Sequence, residues 1–141
     1  PLWTRSEKKR QVNPKKMYVI DNGILDAYST QITADNGAFL ENLVYITLRR
    51  QGHTLGYYET AKGHEIDFVY KEAETTVLMQ VAWTLQDEAT RQREIRALEE
   101  AAKEFSNSRS IIVTLDEEWT SEDETIRVLP LWKFLLYGNS R

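Results

Sequence analysis

The chain holds 141 residues, 41% hydrophobic and 28% charged, with a formal net charge of −4 and no cysteine. That length suits one domain with a single core, the missing cysteines exclude disulfides and thiolate metal sites and fit a reducing cytoplasm, and the overall acidity does not mark a nucleic-acid binder. No apolar run approaches the roughly 18 residues that would suggest a membrane span, and nothing resembles a signal peptide.

Residues 1–16 are polar and basic, with Arg5, Lys8, Lys9, Arg10, Lys15 and Lys16 crowded together and Pro14 arguing against a helix. Lys8, Lys9, Arg10, Lys15 and Lys16 have two readings. They either touch nucleic-acid phosphates, a salt-sensitive and sequence-independent attraction, or form a solvated linker or a contact to another domain. Because the first residue is Pro1 and not Met, a piece of a longer protein is expected, with 1–16 as lead-in and 17–141 as the domain proper.

Met17–Ile20 is a short β-prone run stopped by Asp21-Asn22-Gly23, a turn signal, and a helical turn through Ile24, Leu25 and Tyr28 follows. A helix is predicted over Asn36–Gln51, capped by Asp35 and ended by Gly52, with Leu40, Leu43, Val44 and Leu48 as its apolar face. Three strands come next: Thr54–Glu59, Glu65–Tyr70 after the Lys62-Gly63 turn, and Thr76–Leu85, a nearly continuous apolar run expected of a strand covered on both faces. Glu88–Phe105 reads as an amphipathic helix with Ile95, Leu98, Ala102 and Phe105 inward. Ser110–Leu115 is a buried strand, the acidic stretch Asp116–Glu124 a surface loop, and Ile126–Leu129 a short strand. Pro130 then starts a terminal helix, Leu131–Tyr137. The order from residue 36 to 115 is α-β-β-β-α-β, an α/β domain whose sheet needs helices on both faces.

Three stretches offer chemistry. Glu41 lies on the first helix, at the edge of its apolar stripe. Strand alternation puts Glu65 and Asp67 on one face of the second strand, and Gln80 and Ala82 on one face of the third, opposite Met79, Val81 and Trp83. Glu41 reads equally as a surface residue, and Glu65 as a solvated edge residue. Asp67 is harder to explain away, hemmed in by Ile66, Phe68 and Val69. Carboxylates converging from separate elements repel one another unless a divalent cation neutralises them. Gln80 sits in an apolar run where its amide needs partners; it either bonds Asp67 or ligates through its carbonyl oxygen. Ala82 can do no acid–base or electrostatic work, and neither Lys62 nor Lys103 is favoured by spacing to replace a lysine there. His53 and His64 read as surface or hydrogen-bonding residues. No Ser-His-Asp or Cys-His set and no Gly-x-x-x-x-Gly-Lys loop exists, so nothing points to nucleotide hydrolysis within the chain. Trp3, Trp83, Trp119 and Trp132 read as core or interface anchors, not a base-stacking stripe. Trp132, Phe134, Leu135 and Leu136 have oligomerisation as a further reading.

Glu41, His64-Glu65-Ile66-Asp67 and Met79-Gln80-Val81-Ala82, in this order, resemble the metal-dependent PD-(D/E)XK nuclease-like site: a helical Glu, a strand Asp, then Glu-x-Lys one strand later. The resemblance implies a restriction-endonuclease-like core with a mixed central sheet, and a Mg²⁺- or Mn²⁺-bound water attacking a phosphodiester while the lysine orients it. Gln80-Val81-Ala82 departs from the pattern, since one carboxylate and the lysine are gone. Catalytic Glu41, Asp67 and Gln80 are therefore expected as a relic or a rearranged site, with Asp67, Glu41 and Glu65 as the metal ligands of any working version.

The whole chain also resembles the C-terminal domain of unknown function of prokaryotic AAA-like P-loop ATPases. The residues that carry this are Asn13-Pro14-Lys15-Lys16-Met17-Tyr18-Val19-Ile20-Asp21-Asn22-Gly23, Glu41-Asn42-Leu43-Val44, Gly63-His64-Glu65-Ile66-Asp67-Phe68-Val69, Gln80-Val81-Ala82-Trp83 and Val128-Leu129-Pro130-Leu131-Trp132-Lys133-Phe134-Leu135-Leu136. That likeness implies an ATPase portion upstream as partner, with this domain a nuclease-like appendage. The expected function is a catalytically inactive module binding a partner, the ATPase portion or nucleic acid. The alternatives are a metal-dependent phosphodiesterase with a rearranged site, and a structural or oligomerisation domain.

Overall fold

The computed structural model describes Trp3, Tyr18 and residues 36–138. Apart from Tyr18, the expected Met17–Ile20 strand, the Asp21-Asn22-Gly23 turn, the helical turn near Ile24, the Asp35 cap and the basic residues of the lead-in lie outside the described residues. The elements run α1 (Asn36–Arg50), β1 (Gly56–Glu59), β2 (Glu65–Glu72), β3 (Thr75–Val81), α2 (Glu88–Glu104), β4 (Ser108–Thr114), β5 (Trp119–Thr120), β6 (Ile126–Pro130) and α3 (Leu131–Tyr137). One six-stranded sheet has the order β1-β2-β3-β4-β6-β5. β1, β2 and β3 form an antiparallel meander, β3, β4 and β6 are parallel, and β5 returns antiparallel on β6. This is the mixed, helix-flanked α/β sheet expected from the sequence.

Burial explains the layering. Leu40, Val44 and Leu48 of α1, with Phe134 of α3, pack on Phe68, Tyr70, Val77, Met79, Val81, Ile111 and Val113 on one face of the sheet. Ala97, Leu98 and Ala101 of α2 pack on Leu78, Ile112 and Val128 on the other. Each fully buried Leu, Ile or Phe contributes about 1.5–3 kcal/mol relative to exposure, so the central strands β3 and β4, covered on both faces, anchor the fold. The glycines at two turns take left-handed backbone, Gly52 at φ +87° after α1 and Gly63 at φ +85° between β1 and β2, where a Cβ would be strained. Asp87 caps α2, its carboxylate accepting from the Thr90 N–H at 2.8 Å; those Thr90 bonds hold its carboxyl below the usual range.

Three local expectations shift. The inward face of α2 is Glu94, Ala97, Leu98 and Ala101, while Ile95, Ala102 and Phe105 are only partly buried; small alanines let the helix sit close, and they carry little hydrophobic signal. The third strand stops at Val81, well before Leu85; the Ala82 N–H still donates to the Val113 carbonyl at 3.0 Å, and the Leu85 N–H has turned to the Glu117 carboxylate at 2.7 Å. The acidic stretch holds a short strand, Trp119–Thr120, paired to β6. In α3, Phe134 is buried core, whereas Trp132, Leu135 and Leu136 are exposed. The β1 edge meets Trp3, whose N–H donates to the Tyr57 carbonyl at 2.5 Å.

Candidate functional site

The site begins with a fault in the sheet. Gly56 pairs with Val69 and Tyr58 with Ile66, so two steps along β1 match three along β2. The extra residue makes a bulge around Asp67, and bulges re-aim side chains. Simple alternation is broken as a result: Ile66 and Val69 both belong to the α2-side core, Phe68 and Tyr70 to the α1-side core. On its other edge, β2 is in register with β3 only from Phe68↔Met79 to Glu72↔Thr75. Beyond Phe68 the two strands part.

Gln80 fills the gap. Its Oε1 accepts from the Asp67 N–H at 2.8 Å, and its Nε2 donates to the Glu65 carbonyl at 2.9 Å. The Asp67 Oδ2 reaches back and accepts from the Val81 N–H at 2.9 Å. Side chains thus replace the missing backbone rungs, in a place where an unpaired polar group is costly. Gln80 is buried, Asp67 half-buried and Glu65 exposed.

A cavity of about 480 Å³ opens where the strands part and is lined by Glu41 from α1, Glu65 and Asp67 from β2, Gln80 from β3, and Arg93 and Glu94 from α2. The three residues named as catalytic, Glu41, Asp67 and Gln80, therefore border one space, together with Glu65. Ala82 is buried in the α2-side core. Neither Lys62 nor Lys103 lines the cavity; Lys62 instead pairs with Glu100 at 3.4 Å. Lys8, Lys9, Arg10, Lys15 and Lys16 are outside the described residues.

Three of the carboxylates facing this space, Glu41, Asp67 and Glu94, accept from donors of the chain itself. The Tyr18 hydroxyl donates to Glu41 at 2.8 Å. Burial pushes the Tyr18 hydroxyl far above its ordinary range, and the Glu41, Asp67 and Glu65 charges push the same way, so it remains a proton donor. Glu94 is buried, with the Arg93 guanidinium on its Oε1 at 2.8 and 3.1 Å. Among the described residues no group of three or more His, Asp or Glu side chains is placed to hold a metal ion. The set departs from the one the motif implies for a divalent cation: an amide stands at position 80, and one oxygen each of Asp67 and Glu41 already accepts from an N–H and a hydroxyl.

Sequence reasoning missed several residues here. Tyr18 sits in a β-prone run that the family resemblance includes, but nothing there marks it as a partner of Glu41. Glu94 precedes Ala97 and Ala101 at helical spacing, the only signal of its inward position. His64 is the hydrogen-bonding residue expected, sharing a 2.5 Å bond from its Nδ1 with Glu100, but nothing in the sequence announces its place on the cavity wall.

Comparison with known proteins names a family and a relative but no activity. A 32% identical relative, matched over 142 residues, is an uncharacterized protein of Methanocaldococcus jannaschii; the match covers 93% of this chain and 31% of that protein, so the chain spans about a third of its relative's length. No solved structure matches the chain. A family model matches residues 36–134, from the start of α1 to the middle of α3, and the chain accordingly belongs to the family described as Domain of unknown function (DUF4143).

Proposed function

We propose that this domain is a nuclease-like module that has lost cleavage, and that it serves a larger AAA-like ATPase by binding a partner or nucleic acid. The observation that carries this reading is the use of Asp67 and Gln80 as rungs between β2 and β3. A metal-binding Asp must present its oxygens to a cation; here the carboxylate accepts from Val81 N–H and the neighbouring amide is spent on backbone. Ala82 supplies no charge to a phosphate, and among the described residues no lysine lines the cavity to replace it. The ATPase partner rests on the sequence resemblance of the whole chain.

The chain incubated with single- and double-stranded DNA and RNA in millimolar Mg²⁺ or Mn²⁺ is expected to leave them intact, and calorimetry to detect no metal binding. Metal-dependent cleavage that disappears in Asp67→Asn would overturn the proposal. A salt-sensitive association with oligonucleotides, without cleavage, is the positive result expected.

A further inference from the structure

A second cavity, of about 320 Å³, lies next to the first and shares Asp67 with it. Its lining is aromatic: Tyr18, Tyr45, Tyr57 and Phe68, with Arg49 from the last turn of α1. Tyr18 and Tyr45 stack at 4.1 Å between ring centroids and 11° between planes. Tyr45 and Phe68 lie 6.4 Å apart at 27°. Tyr18 and Tyr45 thus form a near-parallel bank against which a further flat ring can lie, while Phe68 is tilted by 36° to Tyr18. Arg49 is exposed, and its Nη1 donates to the His53 carbonyl at 3.0 Å, which fixes the guanidinium beside the cavity.

We propose that this aromatic cavity binds one unpaired nucleotide, its base against the tyrosine bank, its N–H edge toward Asp67 and its phosphate on Arg49. This deepens the binding function proposed above by naming the ligand, and it uses a space that the nuclease-like motif does not account for. The chemistry narrows the occupant. A purely apolar ligand would desolvate the charges of Asp67 and Arg49 while bringing no polar group to either, which is unfavourable. A cationic amine would suit the rings and the carboxylate but is repelled by Arg49. An aromatic acid would suit Arg49 but brings no donor to Asp67. A nucleotide carries a flat base with N–H donors and an anionic phosphate, and Arg binds phosphate in a fork geometry. The volume sits at the low end of the roughly 300–1,000 Å³ of ligand cavities, which suits a single nucleotide. The bases of a duplex have their faces covered, so a duplex is the wrong partner. The acidic neighbouring cavity repels phosphate and leaves the Arg49 side as its place.

The test is calorimetry on the full chain at low salt with a chelator present, using the four nucleoside monophosphates, adenosine, ribose 5-phosphate, a single-stranded oligonucleotide and its duplex. At least one monophosphate is expected to bind about tenfold or more tighter than either adenosine or ribose 5-phosphate, because base stacking and the phosphate contact each carry that much. Arg49→Ala, at an exposed position, should reduce the monophosphate to the affinity of the nucleoside. Tyr45→Leu, which keeps bulk but removes the flat face, should weaken it by about the same factor. An oligonucleotide that binds tighter than its monophosphate identifies a strand as the source, and equal affinity identifies free nucleotide; each supports the cavity. Absence of monophosphate binding, equal binding of ribose 5-phosphate, or an unchanged affinity in Arg49→Ala overturns the inference. Nucleotide binding accompanied by metal-dependent cleavage would sink only the loss of activity proposed above. An intact nucleic acid with no nucleotide binding would sink only the cavity assignment.

Discussion

The side-chain amide of Gln80 occupies the place of a peptide group facing Asp67. It accepts from the Asp67 N–H at 2.8 Å and donates to the Glu65 carbonyl at 2.9 Å, so both ends of the amide are spent on one strand. Only a group with an acceptor and a donor side by side can do this. A carboxylate at the same place would accept from Asp67 but face the Glu65 carbonyl with negative charge. Glutamine at position 80 thus makes its side chain part of the sheet, where a carboxylate would be a charged wall.

Removing that amide should cost stability. Gln80→Ala leaves the Asp67 N–H and the Glu65 carbonyl without these partners; a buried group left unpaired costs about 1–3 kcal/mol, and one that water can reach costs less. A loss of about 1–3 kcal/mol in urea unfolding is expected. Gln80→Glu is the sharper variant, since it keeps the shape. Only the protonated form of the introduced carboxyl can still donate to the Glu65 carbonyl, so folding should raise its pKa above the ordinary glutamate value. The folded state then binds the extra proton, and stability should be retained at acid pH and fall as pH rises through that raised pKa. A flat stability profile in Gln80→Glu would show that the second rung contributes nothing.

Asp67 should behave as a structural acceptor. Asp67→Asn keeps an oxygen for the Val81 N–H and should cost no more than about 1 kcal/mol, whereas Asp67→Ala, which leaves that N–H unpaired, should cost about 1–3 kcal/mol. Amide exchange at Val81 reads the bond directly, and fast exchange is expected only in Asp67→Ala.

Much of this was legible in the sequence, and the physics of what was not is specific. Helix periodicity in Leu40, Val44 and Leu48 and the unbroken apolar run from Thr76 located α1 and β3, because burial on one stripe or on both faces leaves a direct imprint. The motif spacing brought Glu41, Asp67 and Gln80 to one cavity. The bulge at Asp67 left no such imprint. It arises from pairing between β1 and β2, a relation between distant residues, and carries neither glycine nor proline on β2 to announce it, although Gly56 stands opposite on β1. The partners of the site were equally hidden: the Tyr18 bond to Glu41 spans 23 positions and the His64 bond to Glu100 spans 36.

The Tyr18–Glu41 bond predicts an alkaline weakness. A raised phenol pKa in the folded state, caused by burial and the adjacent carboxylates, means the folded protein keeps a proton that the unfolded chain releases near pH 10. Stability is therefore full below that pH and declines as pH climbs above it. Tyr58, pushed up to about 12 by burial and by its bond to Glu104, adds to the same slope. Tyr18→Phe should cost about 1.5–3 kcal/mol near neutrality, as expected for a bond to a charged group, and should flatten the alkaline decline. Tyrosinate absorbance during a pH titration provides the independent check: one tyrosine that ionises only on unfolding should vanish in Tyr18→Phe.

Glu100 predicts the opposite, acid-side behaviour. Burial alone would raise its carboxyl, but the bonds from His64 and Lys62 outweigh that and hold it below the usual range. A depressed carboxyl stabilises the fold above the unfolded glutamate pKa of about 4.3, and that stabilisation fades as pH falls through the lower, folded value. The element at stake is the β1–β2 turn, which Glu100 ties to α2 through His64 at 2.5 Å, Lys62 at 3.4 Å and Thr60 at 3.4 Å. Amides of Thr60 to His64 should lose exchange protection selectively in acid, before the β3–β4 core opens. Glu100→Gln should produce the same local loss already at neutral pH, because a neutral amide gives up the charge in all three contacts while preserving their shape. Equal exchange in the variant and the parent chain at neutral pH would show that the turn is held by its backbone alone.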